Sequence, residues 1–397
     1  MTRVNRWLLP DGVDEILPPQ ASKLETLRRD ILDLYSTWGY ELVITPLIEF
    51  IDSLMVVPST ELQLQTFKII DQLTGRTMGV RADITSQVAR IDAHVLQSDA
   101  PTRLCYADSV LRTKPSSMLG SRSPIRIGAE LYGHSGTASD IEVISLMLET
   151  LAIAGVENVQ LALGHVGIYR SLIEGAGLDD ELKEKLFDAL QRKSEKEIES
   201  LFDSADTDSN TNSERLQMLI KLPQLSGDET VLDEAETILK NAPGSALQDI
   251  QQLRTITQAL KTRYPTQSFY FDLSELRGYE YHTGVVFAAY VSNFGQSIAK
   301  GGRYDHIGAD FGRARAATGF DSDLKTLLAL SGKHFILKEK VFAPGSNDPE
   351  LLAFISQLRS EGKMVICSLE GQTESAKDMD CHSEIIKIKG KWCLQAV

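Results

Sequence analysis

One segment of the sequence, from Leu276 to Phe287, limits most strongly what this chain can fold into. It reads Leu-Arg-Gly-Tyr-Glu-Tyr-His-Thr-Gly-Val-Val-Phe, and the glycine-rich run Gly-Gly-Arg-Tyr-Asp follows at 301–305. The glycines at 278 and 284 leave room for another group to approach the backbone closely. Rings, hydroxyl groups and charges placed among glycines are typical of the floor of a small-molecule pocket.

Two interpretations of this segment are open from its residues alone. Alternation with a period of two predicts a strand with Tyr279 and Tyr281 on one face and Glu280 and His282 on the other. The other interpretation is an ordinary hairpin, with its turn at 292–295 and its aromatic rings filling a core. The segment by itself does not decide between a pocket and a core.

Length and charge restrict the class of protein. A chain of 397 residues with 42% hydrophobic and 24% charged residues can form one large domain and a smaller one. The net charge of -14 opposes non-specific binding to nucleic acid. Residues 179–240 carry 17 acidic and 8 basic side chains, so this segment is a poor candidate for binding RNA.

The cysteines and the N-terminal sequence indicate a cytoplasmic protein. The 4 cysteines form no Cys-x-x-Cys pair and have no histidine spacing of a zinc site, so we expect reduced thiols and no metal. The N-terminal residues lack the apolar core of a signal peptide. No run approaches the roughly 20 apolar residues of a membrane span.

The order of predicted elements indicates an α+β fold in two domains. A first helix begins near Ser22, where Ser22 and Glu25 have the spacing of a capping box. Residues 1–333 form the large core, and a helical, acidic insertion covers about 178–264. Within the insertion, the polar run 203–213 predicts a surface loop. Residues 334–397 form a small C-terminal α/β domain.

The segment at 277–284 resembles the histidine-binding signature of histidyl-tRNA synthetases, Arg-Gly-Leu-Asp-Tyr-Tyr-Thr-Gly, and the run at 301–305 matches the glycine-rich strand that follows it there. The histidine at 282 makes the chain more similar still to the regulatory subunits of the short-form ATP phosphoribosyltransferase, a catalytically silent paralogue family. The similarity covers about residues 10–330. It implies a class II aminoacyl-tRNA synthetase-like core, an antiparallel sheet flanked by helices.

The resemblance also implies a site for free histidine as an effector. Matching charges, the ammonium of histidine suits Asp83 and its carboxylate suits Arg112 or Arg277. The imidazole suits Glu130 as a hydrogen-bond acceptor. Asp83 and Thr85 have the alternative interpretation of a helix cap. The candidate site residues are Asp83, Thr85, Arg112, Arg126, Glu130, Arg277, Tyr281, His282 and Tyr304.

The positions that bind ATP in the synthetases are altered. Lys114 stands where those enzymes usually have a glutamate that reads adenine, and Arg126 stands where they usually have a glutamine. Asp323 falls where an arginine of the third class II motif holds the γ-phosphate of ATP. Losing one such preorganised contact typically costs several kcal/mol of catalysis. We therefore predict no catalytic residues and no cofactor.

The resemblance implies a regulatory subunit without activity of its own. It also implies a partner, the short-form ATP phosphoribosyltransferase catalytic subunit, which catalyses the first step of histidine biosynthesis. In that family the regulatory subunit activates the catalytic subunit and makes it sensitive to histidine. The resemblance also implies a dimer, formed near Pro46 to Glu49, within a hetero-oligomer that is a hetero-octamer in that family, and no tRNA partner. The alternative is a histidine-tRNA ligase that forms histidyl-adenylate, which Lys114 and Asp323 oppose. A structural paralogue that binds nothing is opposed by the retained histidine pocket.

Overall fold

The structure, a computed structural model, describes residues 7–56, 60–115, 120–174, 176–203, 210–276, 278–279, 281–336 and 338–397. The chain divides into two compact units, Met1–Lys333 and His334–Val397. The strands are β1 (Glu41–Leu42), β2 (Ile48–Phe50), β3 (Phe67–Ile70), β4 (Thr77–Val80), β5 (Thr102–Ser109), β6 (Ile125–Tyr132), β7 (Gln160–His165), β8 (Ser226–Gly227), β9 (Ser268–Asp272), β10 (Val285–Val291), β11 (Phe294–Arg303), β12 (Ala317–Asp323), β13 (Lys340–Ala343), β14 (Met364–Cys367), β15 (Ser383–Ile388) and β16 (Lys391–Ala396). The α-helices are α1 (Gln20–Thr37), α2 (Ile51–Leu54), α3 (Thr60–Gln65), α4 (Thr85–Arg90), α5 (Thr137–Ile153), α6 (Val166–Ile173), α7 (Asp180–Gln191), α8 (Glu195–Asp203), α9 (Asn210–Lys221), α10 (Thr230–Ile238), α11 (Gly244–Arg263), α12 (Leu324–Leu330) and α13 (Pro349–Ser360).

A large mixed sheet forms the centre of the first unit. Within the described residues it has nine strands in the order β1-β5-β6-β12-β11-β10-β7-β9-β8. The pairs β1/β5 and β7/β9 are parallel and the other pairs are antiparallel. A small antiparallel sheet has the order β2-β4-β3. The predicted antiparallel core is confirmed, with parallel pairing confined to strands near its edges.

Helix α5 packs on the sheet against β6 and β12. It is apolar around most of its circumference, which is typical of a helix buried on several sides. Val143, Ile144 and Met147 are fully buried. Helix α1 lies beside α5 and has a narrower apolar stripe that includes Leu27 and Ile31. The two helices cover the sheet on which the candidate site residues lie.

The acidic segment of the first unit is helical, from α7 to α11. Asp179 begins it as an N-cap, because its side chain accepts a hydrogen bond of 2.8 Å from the N–H of Leu182. Helix α11 packs against α5 and α6. The predicted loop at 203–213 is partly wrong, since α9 already begins at Asn210. Residues 204–209 of that loop lie outside the described residues.

The second unit is a small α/β fold. Its sheet has the order β14-β13-β15-β16 within the described residues, with β13 parallel to both β14 and β15. Helix α13 begins at Pro349, and the preceding Asp348 caps it by accepting a hydrogen bond from the N–H of Glu350 at 2.9 Å. Its buried face carries Leu351 and Ile355, which pack in the core of this unit.

The predicted start of the first helix is wrong by two residues. Helix α1 begins at Gln20, and the N–H of Ser22 already donates to the carbonyl of Pro19 at 3.1 Å. Ser22 therefore lies inside the first turn, where it cannot act as the N-cap of a capping box. The separation of three residues between Ser22 and Glu25 is found inside a helix as well as in a capping box, so it does not by itself mark a helix start.

Candidate functional site

Two glycines form a trough across the middle of the large sheet. Glu130 on β6 is opposite Gly319 on β12, and Gly319 is opposite Gly302 on β11. A Cβ atom on Gly319 would lie 1.5 Å from Oε2 of Glu130, and one on Gly302 would lie 2.6 Å from Cδ2 of His282. The carboxyl group and the imidazole ring therefore lie directly over backbone, in space that any larger residue would fill.

Glu130 is the buried centre of this trough, with 1% of its surface exposed. The hydroxyl of Tyr304 donates to its Oε2, and the hydroxyl of Tyr106 donates to its Oε1 at 3.2 Å. Burial raises the pKa of Glu130 to about 8, although these hydrogen bonds lower it in part. At neutral pH Glu130 therefore carries a proton in most molecules, so it can donate to a ring nitrogen as well as accept from one.

Aromatic rings enclose the Glu130 carboxyl group. Tyr281 stacks on Tyr304 with the ring centroids 4.9 Å apart, and it meets His282 edge-on at 5.2 Å. Burial raises the pKa of both tyrosines well above the usual value, so their hydroxyls stay neutral. The Tyr281 hydroxyl is buried and has no hydrogen-bond partner within the described part of the chain. It is available to a ligand.

A turn that begins at Gly278 brings Tyr281 and His282 to the same place. The predicted strand alternation is wrong here, because the N–H groups of Tyr281 and His282 both donate to the carbonyl of Gly278 at 2.8 Å. Gly278 has φ 72°, a conformation that favours glycine. Tyr279 points away and packs on Tyr169 instead, with ring centroids 5.2 Å apart.

Arg170 on α6 holds this turn. Its Nη2 donates to the carbonyl oxygen of His282 at 3.0 Å and to that of Tyr279 at 3.3 Å. The guanidinium also lies over the Tyr279 ring, 5.1 Å from the centroid. The turn is thus anchored to a helix of the first unit rather than left as a free loop.

Asp83 and Thr85 lie at the start of α4, beside the Glu130 trough. The N–H of Thr85 donates to Oδ2 of Asp83 at 3.1 Å, as expected for a helix start. The Thr85 hydroxyl is 3.4 Å from that of Tyr106. The charge of Asp83 contributes to raising the pKa of Glu130, which places the two carboxyl groups within electrostatic reach. The alternative interpretation of these residues as the helix N-cap is wrong, because the N-cap position is Ile84 and no side chain caps α4.

Arg126 lies four residues before Glu130 on β6 and forms a charged end of the site. Its Nη2 forms an ion pair with Oδ2 of Asp321, and only 11% of the Arg126 side chain is exposed. Burial and, after it, the charge of Arg112 lower the pKa of Arg126. The Nε of Arg112 donates to the carbonyl of Ala82 at 3.2 Å. Two cationic side chains are therefore held near one another at this end.

Asp323 uses its carboxylate within the fold. Oδ1 accepts hydrogen bonds from the N–H groups of Lys325 and Ile125, each at 3.2 Å, and Oδ2 accepts from the Thr326 hydroxyl at 3.1 Å. These bonds cap α12 and join it to β6. Lys114 is exposed.

Comparison with known proteins gives two family matches that together span most of the chain. The model of histidyl-tRNA synthetase matches residues 12–327, and that of the ATP phosphoribosyltransferase subunit HisZ C-terminal domain matches residues 338–395. The ATP phosphoribosyltransferase regulatory subunit of Stutzerimonas stutzeri is 52% identical over 394 residues, covering 99% of this chain and 98% of the relative. The chain belongs to the family of ATP phosphoribosyltransferase regulatory subunits.

Solved structures agree with this membership. A protein from Bacillus halodurans, described as an ATP phosphoribosyltransferase regulatory subunit/histidyl-tRNA synthetase, is 26% identical with a TM-score of 0.82, covering 96% of this chain and 97% of that one. A chain of the ATP phosphoribosyl transferase (HisG:HisZ) complex from Thermotoga maritima is 19% identical with a TM-score of 0.59, covering 78% and 98%. The latter likeness shows the shared fold alone.

The candidate site residues that the structure describes lie in two neighbouring places in this member of the family. Glu130, Tyr281, His282 and Tyr304 meet in the trough, with Thr85 linked to it through Tyr106. Arg112 and Arg126 lie at the charged end. Arg277 lies outside the described residues. Their roles toward histidine stay predictions.

Sequence reasoning missed two residues of the site, Tyr106 and Asp321. Both are opposite Gly128 of β6, one on each side. A Cβ on Gly128 would lie 2.6 Å from the Tyr106 hydroxyl, so this glycine lets the Tyr106 side chain lie across β6. A glycine in the middle of a strand signals such a close approach, but the register between strands is needed to say which side chain makes it.

Two further findings concern the described part of the chain. It contains no group of three or more His, Cys, Asp or Glu side chains that could hold a metal ion. None of its helices combines the length and apolar character needed to cross a membrane.

Proposed function

We propose that this chain is a cytoplasmic regulatory subunit without catalytic activity of its own, which binds free histidine and controls a short-form ATP phosphoribosyltransferase catalytic subunit. It activates that subunit and makes it sensitive to histidine, the end product of the pathway whose first step the complex catalyses. The observation that carries the proposal is a contrast. The groups suited to an imidazole ring meet around Glu130, whereas Asp323, at the position of a phosphate-binding arginine, is used as a helix cap.

The trough suits an imidazole ring because its polar groups are few and mostly neutral. Protonated Glu130 donates to one ring nitrogen, and the buried Tyr281 hydroxyl supplies a donor or acceptor for the other. Asp83, at the start of α4, supplies a negative charge for the ammonium group. A buried polar group that gains its partner only from the ligand makes binding selective.

The residues near the nucleotide positions support the absence of catalysis. Transfer to or from ATP requires cations placed against the developing charge on phosphate. Asp323 adds a negative charge instead, and three hydrogen bonds hold its carboxylate in place. Exposed Lys114 offers a cation where reading adenine calls for an acceptor.

Binding without chemistry affects a partner only through coupling. Suppose that histidine binds the inactive arrangement of the complex more tightly than the active one. Histidine then lowers the affinity of the complex for ligands that favour the active arrangement, and those ligands lower the affinity for histidine by the same factor. Such couplings usually amount to about 1–3 kcal/mol. Histidine therefore opposes the active arrangement, and the catalytic subunit's substrates oppose histidine binding.

The test is a reconstitution. The catalytic subunit is assayed alone, with this chain, and with this chain plus histidine, and the expected rates are low, high and low. Asp83→Ala and Glu130→Ala complexes should keep the activation and lose most of the histidine inhibition. Glu234→Ala, a change of an exposed carboxylate on α10 of the helical insertion, serves as the matched control. An unchanged rate on adding this chain contradicts the proposal.

A histidine-tRNA ligase is the second candidate, favoured by the match of residues 12–327 to the synthetase family model. Histidine-dependent pyrophosphate exchange measures adenylate formation directly. We expect no exchange above background. Exchange at about 1 per second or faster, a rate typical of enzymes, would favour the ligase.

We also propose that the chain dimerises through the small sheet of β2, β4 and β3 and the segment before β2. The dimer is part of a hetero-oligomer, which the family resemblance implies to be a hetero-octamer. Apolar side chains are exposed there, and contiguous exposed apolar groups mark interaction sites. They include Leu42, Ile44, Leu47, Ile48 and Ile70.

Light scattering tests this interface. Ile44, with 79% of its surface exposed, is the most exposed of these residues. Ile44→Asp should halve the molar mass of the isolated chain, whereas Leu352→Asp, at an exposed leucine of the second unit, should leave it unchanged. A parent chain that is already monomeric contradicts this part of the proposal.

A further inference from the structure

We propose that Tyr279 couples the histidine site to the helical insertion, so that bound histidine stabilises the packing of α7 and this packing in turn strengthens histidine binding. The inference rests on the proposed function, in which histidine is the effector. It gives a positioning role to a side chain that points away from the trough and to a helix that contributes no residue to it.

The turn that begins at Gly278 carries aromatic rings toward two different parts of the first unit. Tyr281 stacks on Tyr304 in the trough, with the ring centroids 4.9 Å apart. The Tyr279 ring lies instead against Phe187 of α7, with the centroids 5.8 Å apart. The turn is short and closed, because the N–H of Tyr281 donates to the carbonyl of Gly278 at 2.8 Å. A shift of the turn therefore moves both rings.

The Tyr279 ring lies between a fixed helix and a surface helix. On the α6 side, Tyr169 meets it edge-on at 5.2 Å and the guanidinium of Arg170 lies 5.1 Å from its centroid. Tyr169 is 1% exposed, and α6 packs against β10 and α11. On the other side, Phe187 belongs to α7, which buries only one face. Helices with few buried contacts open most easily, so α7 is the side that can respond to the turn.

A second link joins the end of α7 to the segment that leads into the turn. Lys193 follows α7 by two residues, and its Nζ forms an ion pair with Oδ2 of Asp272, the last residue of β9, at 2.7 Å. The N–H of Leu273 donates to the carbonyl of Leu225, which also belongs to the insertion, at 3.0 Å. The insertion thus contacts the chain at the end of β9 and again at Tyr279. The position of the turn depends on how the insertion packs.

Coupling follows from the cost of ordering the turn. A ligand that binds against Tyr281 and His282 needs the turn in one position, and side chains that already hold it there reduce that cost. Linkage requires the converse, so bound histidine strengthens the contact between Tyr279 and Phe187 by the same factor. Helix α7 therefore responds to whether the site is occupied.

Calorimetry with L-histidine measures one direction of this coupling. Phe187→Leu removes the α7 ring and should weaken histidine binding by about 3-fold to 10-fold, the usual value of an aromatic pair. Tyr279→Leu should weaken it at least as much, whereas Tyr279→Phe, which keeps the ring, should bind like the parent. The double variant Phe187→Leu/Tyr279→Leu should bind no more weakly than Tyr279→Leu alone, because both changes remove the same contact.

Hydrogen exchange measures the other direction. Saturating histidine should slow the exchange of the amides at 187–191 in the parent by the same factor of about 3-fold to 10-fold. In Tyr279→Leu it should have no effect there. The amides of α10, elsewhere in the insertion, should be unaffected in both proteins.

A matched variant separates coupling from a general loosening of the insertion. Phe202→Leu makes the same change at a buried ring of α8 and should leave histidine affinity unchanged. The proposal is wrong if Phe202→Leu weakens binding as much as Phe187→Leu does. It is also wrong if the parent binds histidine without any change in α7 exchange, and the proposed histidine function then stands. A parent chain that binds no histidine removes that function itself.

Discussion

The two ends of strand β6 present opposite kinds of recognition surface. At Glu130 the groups are buried and mostly neutral at pH 7, and tyrosine hydroxyls surround a carboxyl group whose pKa is about 8. At Arg126 the groups are ionic, and a guanidinium is paired with Asp321 next to a second arginine. Under the proposed function, the Glu130 end receives the imidazole ring of histidine.

Under the proposed function, the difference lets a synthetase-like fold bind an amino acid without the groups that bind ATP. A neutral, buried network depends on shape, because each hydroxyl needs its partner at one position. The charged end depends on which charged side chains are present. Single differences from the synthetases, such as those at Arg126 and Asp323, change its charge without altering the sheet. The following predictions test the contrast between the two ends.

The largest expected effect is on the pH dependence of stability. Glu130 has an ordinary pKa of 4.5 when unfolded and about 8 when folded, so the folded state binds more protons between these values. The free energy of unfolding should therefore fall as pH rises from about 4.5 to 8, by up to about 4 kcal/mol from this group. Asp249, whose pKa burial raises to about 7, acts in the same direction.

Subtracting the stability profile of Glu130→Gln from that of the parent isolates the Glu130 contribution. Urea denaturation at a series of pH values measures both profiles. Parallel profiles would mean that Glu130 is ionised in the folded state, and the Glu130 end of the site would then be as ionic as the Arg126 end.

The next effect is that of removing the Glu130 side chain at pH 6. Glu130→Ala leaves a cavity and two buried hydroxyls, those of Tyr304 and Tyr106, without their acceptor. We expect a loss of about 3 kcal/mol in unfolding free energy and at least a 30-fold loss in histidine affinity, equivalent to about 2 kcal/mol. Glu361→Ala, at an exposed residue that ends α13 in the second unit, should change neither. Equal histidine binding by Glu130→Ala would remove Glu130 from the site.

A methyl group in the trough should have a smaller effect. Gly319→Ala places a Cβ atom where Oε2 of Glu130 lies, so the carboxyl group must move. We expect a loss of about 2 kcal/mol in stability, as for other overpacked cores, with weaker histidine binding measured by calorimetry. Gly295→Ala is the matched control, because a Cβ there meets nothing within 4 Å. Similar behaviour of the two variants would contradict the close packing of the trough.

The smallest effect concerns the cap of α12. Asp323→Ala should lower the unfolding free energy by about 1 kcal/mol, the usual value of an N-cap, and leave histidine affinity unchanged. Asp348→Ala, which removes the corresponding cap of α13 in the second unit, should cost a similar amount. A marked change in histidine affinity on Asp323→Ala would extend the charged end of the site to this residue.

A local sequence pattern predicted one hairpin next to the site. The hairpin of β10 and β11, predicted with its turn at 292–295, follows from alternation and turn residues within a short window. The candidate residues came from motifs and their similarity to a known family, not from distances. The sequence could therefore name Glu130 and Tyr304 together without showing that one donates to the other.

The register of the sheet was decided only by the tertiary structure. It places Gly319 opposite Glu130, and Tyr106 and Asp321 on either side of Gly128. Register depends on pairing between strands far apart in the chain, and a slip of one residue would turn each side chain to the other face. The turn at Gly278 is a similar case, since contacts from Arg170 fix it. Residue types suited to the ligand are thus properties of the sequence, whereas their meeting in one trough results from long-range packing.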